Sequence, residues 1–135
     1  MDQYALVLYA LVLWREAQNQ NDATIRAIAW TIKNRVAKPR WWGMNLIGVL
    51  TKKWQYTSLT GTGDPNLIKW PEEGDGVFAR CLRIASSTLS NIEGEIDPVK
   101  GATHYYSTDL KVLPEWVSAL PWVCDIGPFK FFIEK

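Results

Sequence analysis

Apolar residues crowd the start of the chain. Residues 4–17 read YALVLYALVLWREA, nearly all apolar, and predict a helix buried on most of its circumference. A second helix is predicted over residues 22–37, capped by Asn21 or Asp22. Its apolar positions Ile25, Ile28, Ala29, Ile32 and Val36 keep helical spacing, and Pro39 stops it. Lys33, Arg35 and Lys38 crowd its last turn, where cations suit the helix dipole. After a loop at Arg40-Trp41-Trp42-Gly43, a short helix over residues 46–53 follows, with Asn45 as cap. Residues 54–75 are rich in Thr, Gly, Pro and Asn and read as a long functional or wrapping loop. A third long helix spans residues 76–92, its apolar side supplied by Phe78, Leu82, Ile84, Ala85 and Leu89, and Gly94 and Pro98 end it.

The tail changes character. Residues 102–107 and 129–133 favour β-forming side chains and predict two short antiparallel strands. Between them, residues 109–125 read as a loop laid over the body. With no repeat, linker or low-complexity segment, residues 1–135 form one domain of the α+β class, mainly helical, closed by a small C-terminal β-hairpin.

Composition narrows the function classes. An apolar content of 47% against 21% charged residues is that of a folded domain, and 135 residues suffice for a core without staples. A net charge of +1, with no basic run interleaved with aromatics, argues against a nucleic-acid partner. The apolar start is too short to span a bilayer, lacks a basic leader and a small-residue cleavage site, and leads straight into Arg15-Glu16. Synthesis in the cytoplasm without a signal peptide, no stable membrane insertion and a monomeric state are therefore expected. Cys81 lies inside the helical pattern VFARCLRIA as a buried thiol, so a bridge to Cys124 is not expected. Eight Trp in so short a chain stand out, because Trp fills cores and also stacks on sugar faces.

Glu16 is the informative exception to the first helix. Residues three and four back share its face, so it stacks over Leu13 and Val12, with Tyr9 a turn further. Burial and the negative end of the helix dipole both push a carboxyl pKa upward. An acid kept protonated near neutral pH is what glycoside cleavage requires, since the leaving oxygen must receive a proton. The plain alternative is a helix-end Glu that swings into water or pairs with a Lys or Arg.

Three blocks, in order, resemble the cell-wall hydrolase family typified by spore-cortex-lytic enzymes. They are Arg15-Glu16-Ala17 leading to Lys33-Asn34-Arg35-Val36, then Trp54-Gln55-Tyr56-Thr57, then Gly101-Ala102-Thr103-His104-Tyr105-Tyr106 with Ile126-Gly127 and the aromatics from 129 to 132. The chain departs from the family pattern at Gln18-Asn19-Gln20-Asn21, where a Gly-rich stretch is usual, and at Thr57, where Ser is usual. The resemblance implies a lysozyme-like fold acting on peptidoglycan glycan strands, with Glu16 as the single catalytic acid and no cofactor. It also implies substrate contacts near Gln55, Tyr56 and Thr57, whose plain alternative is loop capping.

Trp41, Trp42 and Trp54 are candidates to stack on pyranose rings, or else to cover a helix junction; Trp42 is taken as the sugar contact. His104 shares a strand face with Ala102 and Tyr106, opposite Thr103 and Tyr105. His104 and Tyr106 are accordingly candidate cleft residues, His104 alternatively bonding a neighbouring loop, while Asn34 and Arg35 read as braces. One His makes a zinc amidase poor, and no metal ligand is assigned. An N-acetylmuramoyl-L-alanine amidase, a Cys–His peptidase using Cys81 or Cys124, and a non-catalytic carbohydrate-binding module are the rival readings; the last leaves the acid on the apolar stripe unexplained. With no evident second carboxylate, a lytic transglycosylase is favoured over a hydrolysing lysozyme. A lone domain of this kind suits a phage or prophage endolysin, and equally a truncated cellular enzyme.

Overall fold

The structure, a computed structural model, describes residues 2–52, 55–61, 63–91 and 94–135. Its long helices are α1 (Gln3–Ala17), α2 (Asp22–Ala37) and α5 (Gly76–Ser90), with short helices α3 (Leu46–Thr51) and α4 (Thr57–Thr60) between them. A 3₁₀ turn at Pro65–Ile68 follows α4, and another lies at Glu115–Ser118. Strands β1 (His104–Ser107), β2 (Trp122–Ile126) and β3 (Phe129–Phe132) close the chain.

Side-chain caps set the helix starts: Asp2, Asn21, Asn45 and Asp75 each accept a backbone N–H in the first turn of their helix. Asn91 ends α5 in the left-handed conformation, at φ 46°. The helix α1 packs against both α5 and α2. Tyr9, Val12 and Leu13 meet Ile25, Ile28 and Ile32 of α2 and Cys81, Ile84 and Ala85 of α5 in one core. The Tyr9 hydroxyl, buried there, donates to the Ala29 carbonyl and ties α1 to α2. Cys81 and Cys124 are both free thiols. No helix among the described residues is long and apolar enough to cross a membrane.

The sheet carries one strand more than the sequence suggests. Residues 122–126, expected as loop, form β2, and the antiparallel order is β1-β3-β2. Period-two alternation is hidden there because β2 is an edge strand, exposed at Trp122 and Asp125, with a register shift between Trp122 and Cys124. Its turn into β3 uses Gly127 at φ 57°, where a Cβ would approach Thr24 Oγ1 to 2.8 Å. The wrapping loop is also partly ordered, through α4 and the first 3₁₀ turn. Lys53 and Trp54, and Ile92, where two helices were expected to end, lie outside the described residues.

On β1 the two faces diverge. Tyr105 packs edge-on against Phe129, with ring centroids 5.6 Å apart, and lies beside the fully buried Phe131. Tyr106 and His104 point the other way, where Trp116 covers them. This division decides which tyrosine reaches the first helix.

Candidate active site

Glu16 stands in the last turn of α1, half-buried, and the Tyr105 hydroxyl from β1 donates to its Oε1 at 3.1 Å. Burial raises its carboxyl pKa from 4.5 to about 7; the Tyr105 hydrogen bond opposes this, and the charge of Asp64 adds to it. The side chain is thus poised to hold a proton near neutrality and to lose it readily. It opens into a cleft of about 420 Å³ whose walls include Gln20, Tyr105, Tyr106, Ser107, Asp109 and Trp116. A floor of tyrosine and tryptophan with a few polar groups is the surface chemistry that suits a sugar ring.

The neighbouring loop is tied to Glu16 through the adjacent residue. Arg15, only 5% exposed, spends its guanidinium on three loop carbonyls: Ser58 at 2.8 Å, Lys69 at 3.1 Å and Leu67 at 3.4 Å. Within that loop Thr57 Oγ1 donates to Asp64 Oδ2 at 2.8 Å, and the Asn66 N–H donates to Asp64 Oδ1 at 2.8 Å. One buried cation therefore fixes the segment whose carboxylate acts on Glu16.

The other candidates separate sharply. Thr57 is exposed, in contact with Asp64, and Tyr106 lines the cleft beside Trp116. Trp42, by contrast, is fully buried and its indole N–H donates to the carbonyls of Arg35 and Lys38, so it has no face to offer a sugar; it covers a helix junction. His104 is also corrected: 3% exposed, it sits among Trp41, Trp42 and Trp116 with Nδ1 2.9 Å from Thr103 Oγ1. Burial, then the nearby Arg35 cation, push its pKa down to about 4, so it is a neutral core imidazole. Gln55 directs its amide N–H groups inward to the carbonyls of Trp42 and Val49, bracing the loop. Tyr56 is buried at 3% exposure between Arg35 and the Glu16 region, leaving its ring as packing. Trp54 lies outside the described residues, and Trp41 is exposed, with its indole N–H donating to Glu134.

Asn34 and Arg35 act as braces: Asn34 donates to Asp97 and the Ala102 carbonyl, and Arg35 to the Thr103 carbonyl at 2.6 Å. They lash α2 to the start of β1 and so set the height at which Tyr105 meets Glu16. Tyr105 is the residue that sequence reasoning passed over, although the alternation on β1 had separated it from His104. Among the described residues, no three His, Cys, Asp or Glu side chains gather to hold a metal ion.

Comparison with known proteins bears on the fold and the family. Two solved structures share the fold. One is the catalytic domain of the germination-specific lytic transglycosylase SleB from Bacillus anthracis, with TM-score 0.72 and 19% identity over 98% of this chain and 96% of that one. The other is the catalytic domain of the Bacillus cereus SleB protein, with TM-score 0.72 and 20% identity over 98% of this chain and 91% of that one. Among curated proteins, no sequence matches this chain. A family model described as Cell Wall Hydrolase matches residues 19–132, a stretch that begins just after Glu16 and takes in both the Arg15-anchored loop and the sheet. A match over most of the length, on the fold expected of it, places the chain in the Cell Wall Hydrolase family of cell-wall-degrading enzymes.

Proposed function

We propose that this enzyme cleaves the glycan strand of peptidoglycan, with Glu16 as general acid and then general base, by lytic transglycosylation. The observation that carries the reading is the Glu16 carboxyl at the cleft edge, raised to about 7 and held by the Tyr105 hydroxyl. A rival module that only binds carbohydrate has no use for such an acid.

In the proposed reaction, protonated Glu16 gives its proton to the glycosidic oxygen as the bond from that oxygen to the anomeric carbon breaks. The developing positive charge on the sugar is met by the newly formed Glu16 carboxylate, which the Tyr105 hydroxyl stabilises. The C6 hydroxyl of the same N-acetylmuramic acid then bonds to the anomeric carbon, and its proton returns to Glu16. No water is consumed, and the product carries a 1,6-anhydro end. Intramolecular attack draws on proximity, worth about 7–11 kcal/mol in well-oriented cases. What supports transglycosylation over hydrolysis is that Thr57 and the Asn66 N–H hold the Asp64 carboxylate within its own loop. In this reading the enzyme reaches the wall after release from the cytoplasm, as an endolysin does.

The test is Glu16→Gln. The amide is nearly isosteric and cannot donate the proton, so wall-clearing activity falls by at least about 10²-fold while the circular dichroism spectrum is kept. A folded Glu16→Gln protein that clears cell walls at the wild-type rate overturns the assignment.

A further inference from the structure

Trp70 lies at the end of the loop that Arg15 anchors, and it is 66% exposed. An exposed indole next to a polar loop often has little to rest against; this one has a cation over its ring. The Arg15 guanidinium carbon sits 4.6 Å from the Trp70 ring centroid, and the guanidinium itself is fixed by the carbonyls of Ser58, Leu67 and Lys69. Three of its N–H groups are directed at backbone oxygens, while its central carbon stands over the indole ring. One side of Trp70 is therefore backed by a buried cation, and the rest is open to solvent. The charge of Asp64, in the same loop, acts on both Arg15 and Glu16, so the indole stands on a segment that borders the acid, outside the cleft itself.

We infer that Trp70 is a preformed stacking platform for a pyranose ring of the glycan strand, and that Arg15 is its positioning residue. This rests on the reading of glycan as substrate and adds to it a sugar contact outside the cleft lined by Tyr105 and Trp116. A rigid aromatic face is suited to the apolar C–H face of a sugar, and an indole already held in place loses little conformational freedom when the sugar binds. Burying Arg15 under the loop also explains why a cation stands at 5% exposure without forming an ion pair among the described residues.

The experiment measures binding apart from cleavage. In a Glu16→Gln background, sedimentation with purified undigested peptidoglycan gives the dissociation constant of the parent, of Trp70→Ala and of Trp70→Phe. Trp122→Ala is the control, since Trp122 is 58% exposed on the sheet edge farthest from β1. Trp70→Ala weakens binding about tenfold, Trp70→Phe recovers most of it, and Trp122→Ala binds as the parent does. Soluble glycan strands free of peptide compete with the wall for the parent protein. Parent-like binding by Trp70→Ala, an equal loss in Trp122→Ala, or failure of soluble glycan to compete overturns the platform. Because no turnover is needed, a wild-type enzyme that cuts no glycan sinks the proposed reaction and leaves this binding result to stand or fall alone.

Discussion

The Tyr105 hydroxyl donates to Glu16 Oε1 across 89 positions of sequence, joining the first strand to the first helix at the carboxyl proposed as the acid. A hydrogen bond donated to a carboxylate favours its charged form, so Tyr105 keeps burial from holding the Glu16 proton too tightly. In Tyr105→Phe that restraint is lost and the Glu16 pKa rises further above 7. The alkaline limb of the kcat/KM profile moves to higher pH, and kcat falls on the order of tenfold, or about 1.4 kcal/mol, because the carboxylate formed in the reaction has lost a donor. A pH–rate series on a soluble glycan substrate measures both. An unmoved alkaline limb with unchanged kcat shows that the bond has no part in the chemistry.

Burial of Glu16 also has a signature in stability. A carboxyl whose folded pKa is raised stabilises the fold while protonated, and that contribution is lost as pH rises through the folded value. For Glu16 the contribution is present below 4.5 and is lost as pH rises through about 7. Glu16→Gln removes the burden of a buried charge, so above pH 7 the variant is more stable than wild type by about 1–2 kcal/mol, discounted for partial exposure. Below pH 4.5 the difference closes. Urea unfolding of both proteins at pH 4 and pH 8 checks the sign, and a Glu16→Gln protein less stable at the higher pH contradicts it.

His104 tests the opposite case, a titratable group walled off from the chemistry. Its ring is neutral through the working range, with a pKa of about 4, and sits behind Trp116. His104→Ala leaves the pH–rate profile in place and costs about 1–3 kcal/mol of unfolding free energy from the cavity and the lost Thr103 contact. A shifted profile in a folded variant returns His104 to the site.

The sequence showed the three long helices, the caps at Asn21 and Asn45, and Glu16 as a candidate acid because each is a local matter: the caps and the Pro39 stop act within a turn, and a carboxylate on an apolar stripe is visible without a fold. The strand alternation also separated Tyr105 from His104 correctly. Which face of β1 meets α1 was not legible, because it depends on Asn34 and Arg35 holding β1 against α2 over 68 residues. Chemical habit favoured the lone histidine, and packing chose the tyrosine. Trp42 was misjudged for a related reason: a loop tryptophan reads as exposed until the carbonyls of Arg35 and Lys38 claim its N–H. The strand β2 escaped because an irregular edge strand loses the period that announces one.

Asp64 decides between the two ways of cutting the glycan. Its charge raises the Glu16 pKa, so it lies within electrostatic reach of the acid, and a second carboxylate near the first is what a hydrolysing glycosidase uses to activate water or to attack the sugar. Against that role, its oxygens are committed to Thr57 and to the Asn66 N–H, which fix it as part of the loop. Asp64→Asn removes the charge and keeps the shape. The Glu16 pKa then falls and the alkaline limb of kcat/KM moves to lower pH, opposite in direction to Tyr105→Phe. Mass spectrometry of digested peptidoglycan is expected to find anhydro-ended muropeptides from wild type and from Asp64→Asn alike, since the C6 hydroxyl needs no help from Asp64. Muropeptides one water heavier from wild type, lost in Asp64→Asn, make Asp64 the second carboxylate and the enzyme a hydrolysing lysozyme.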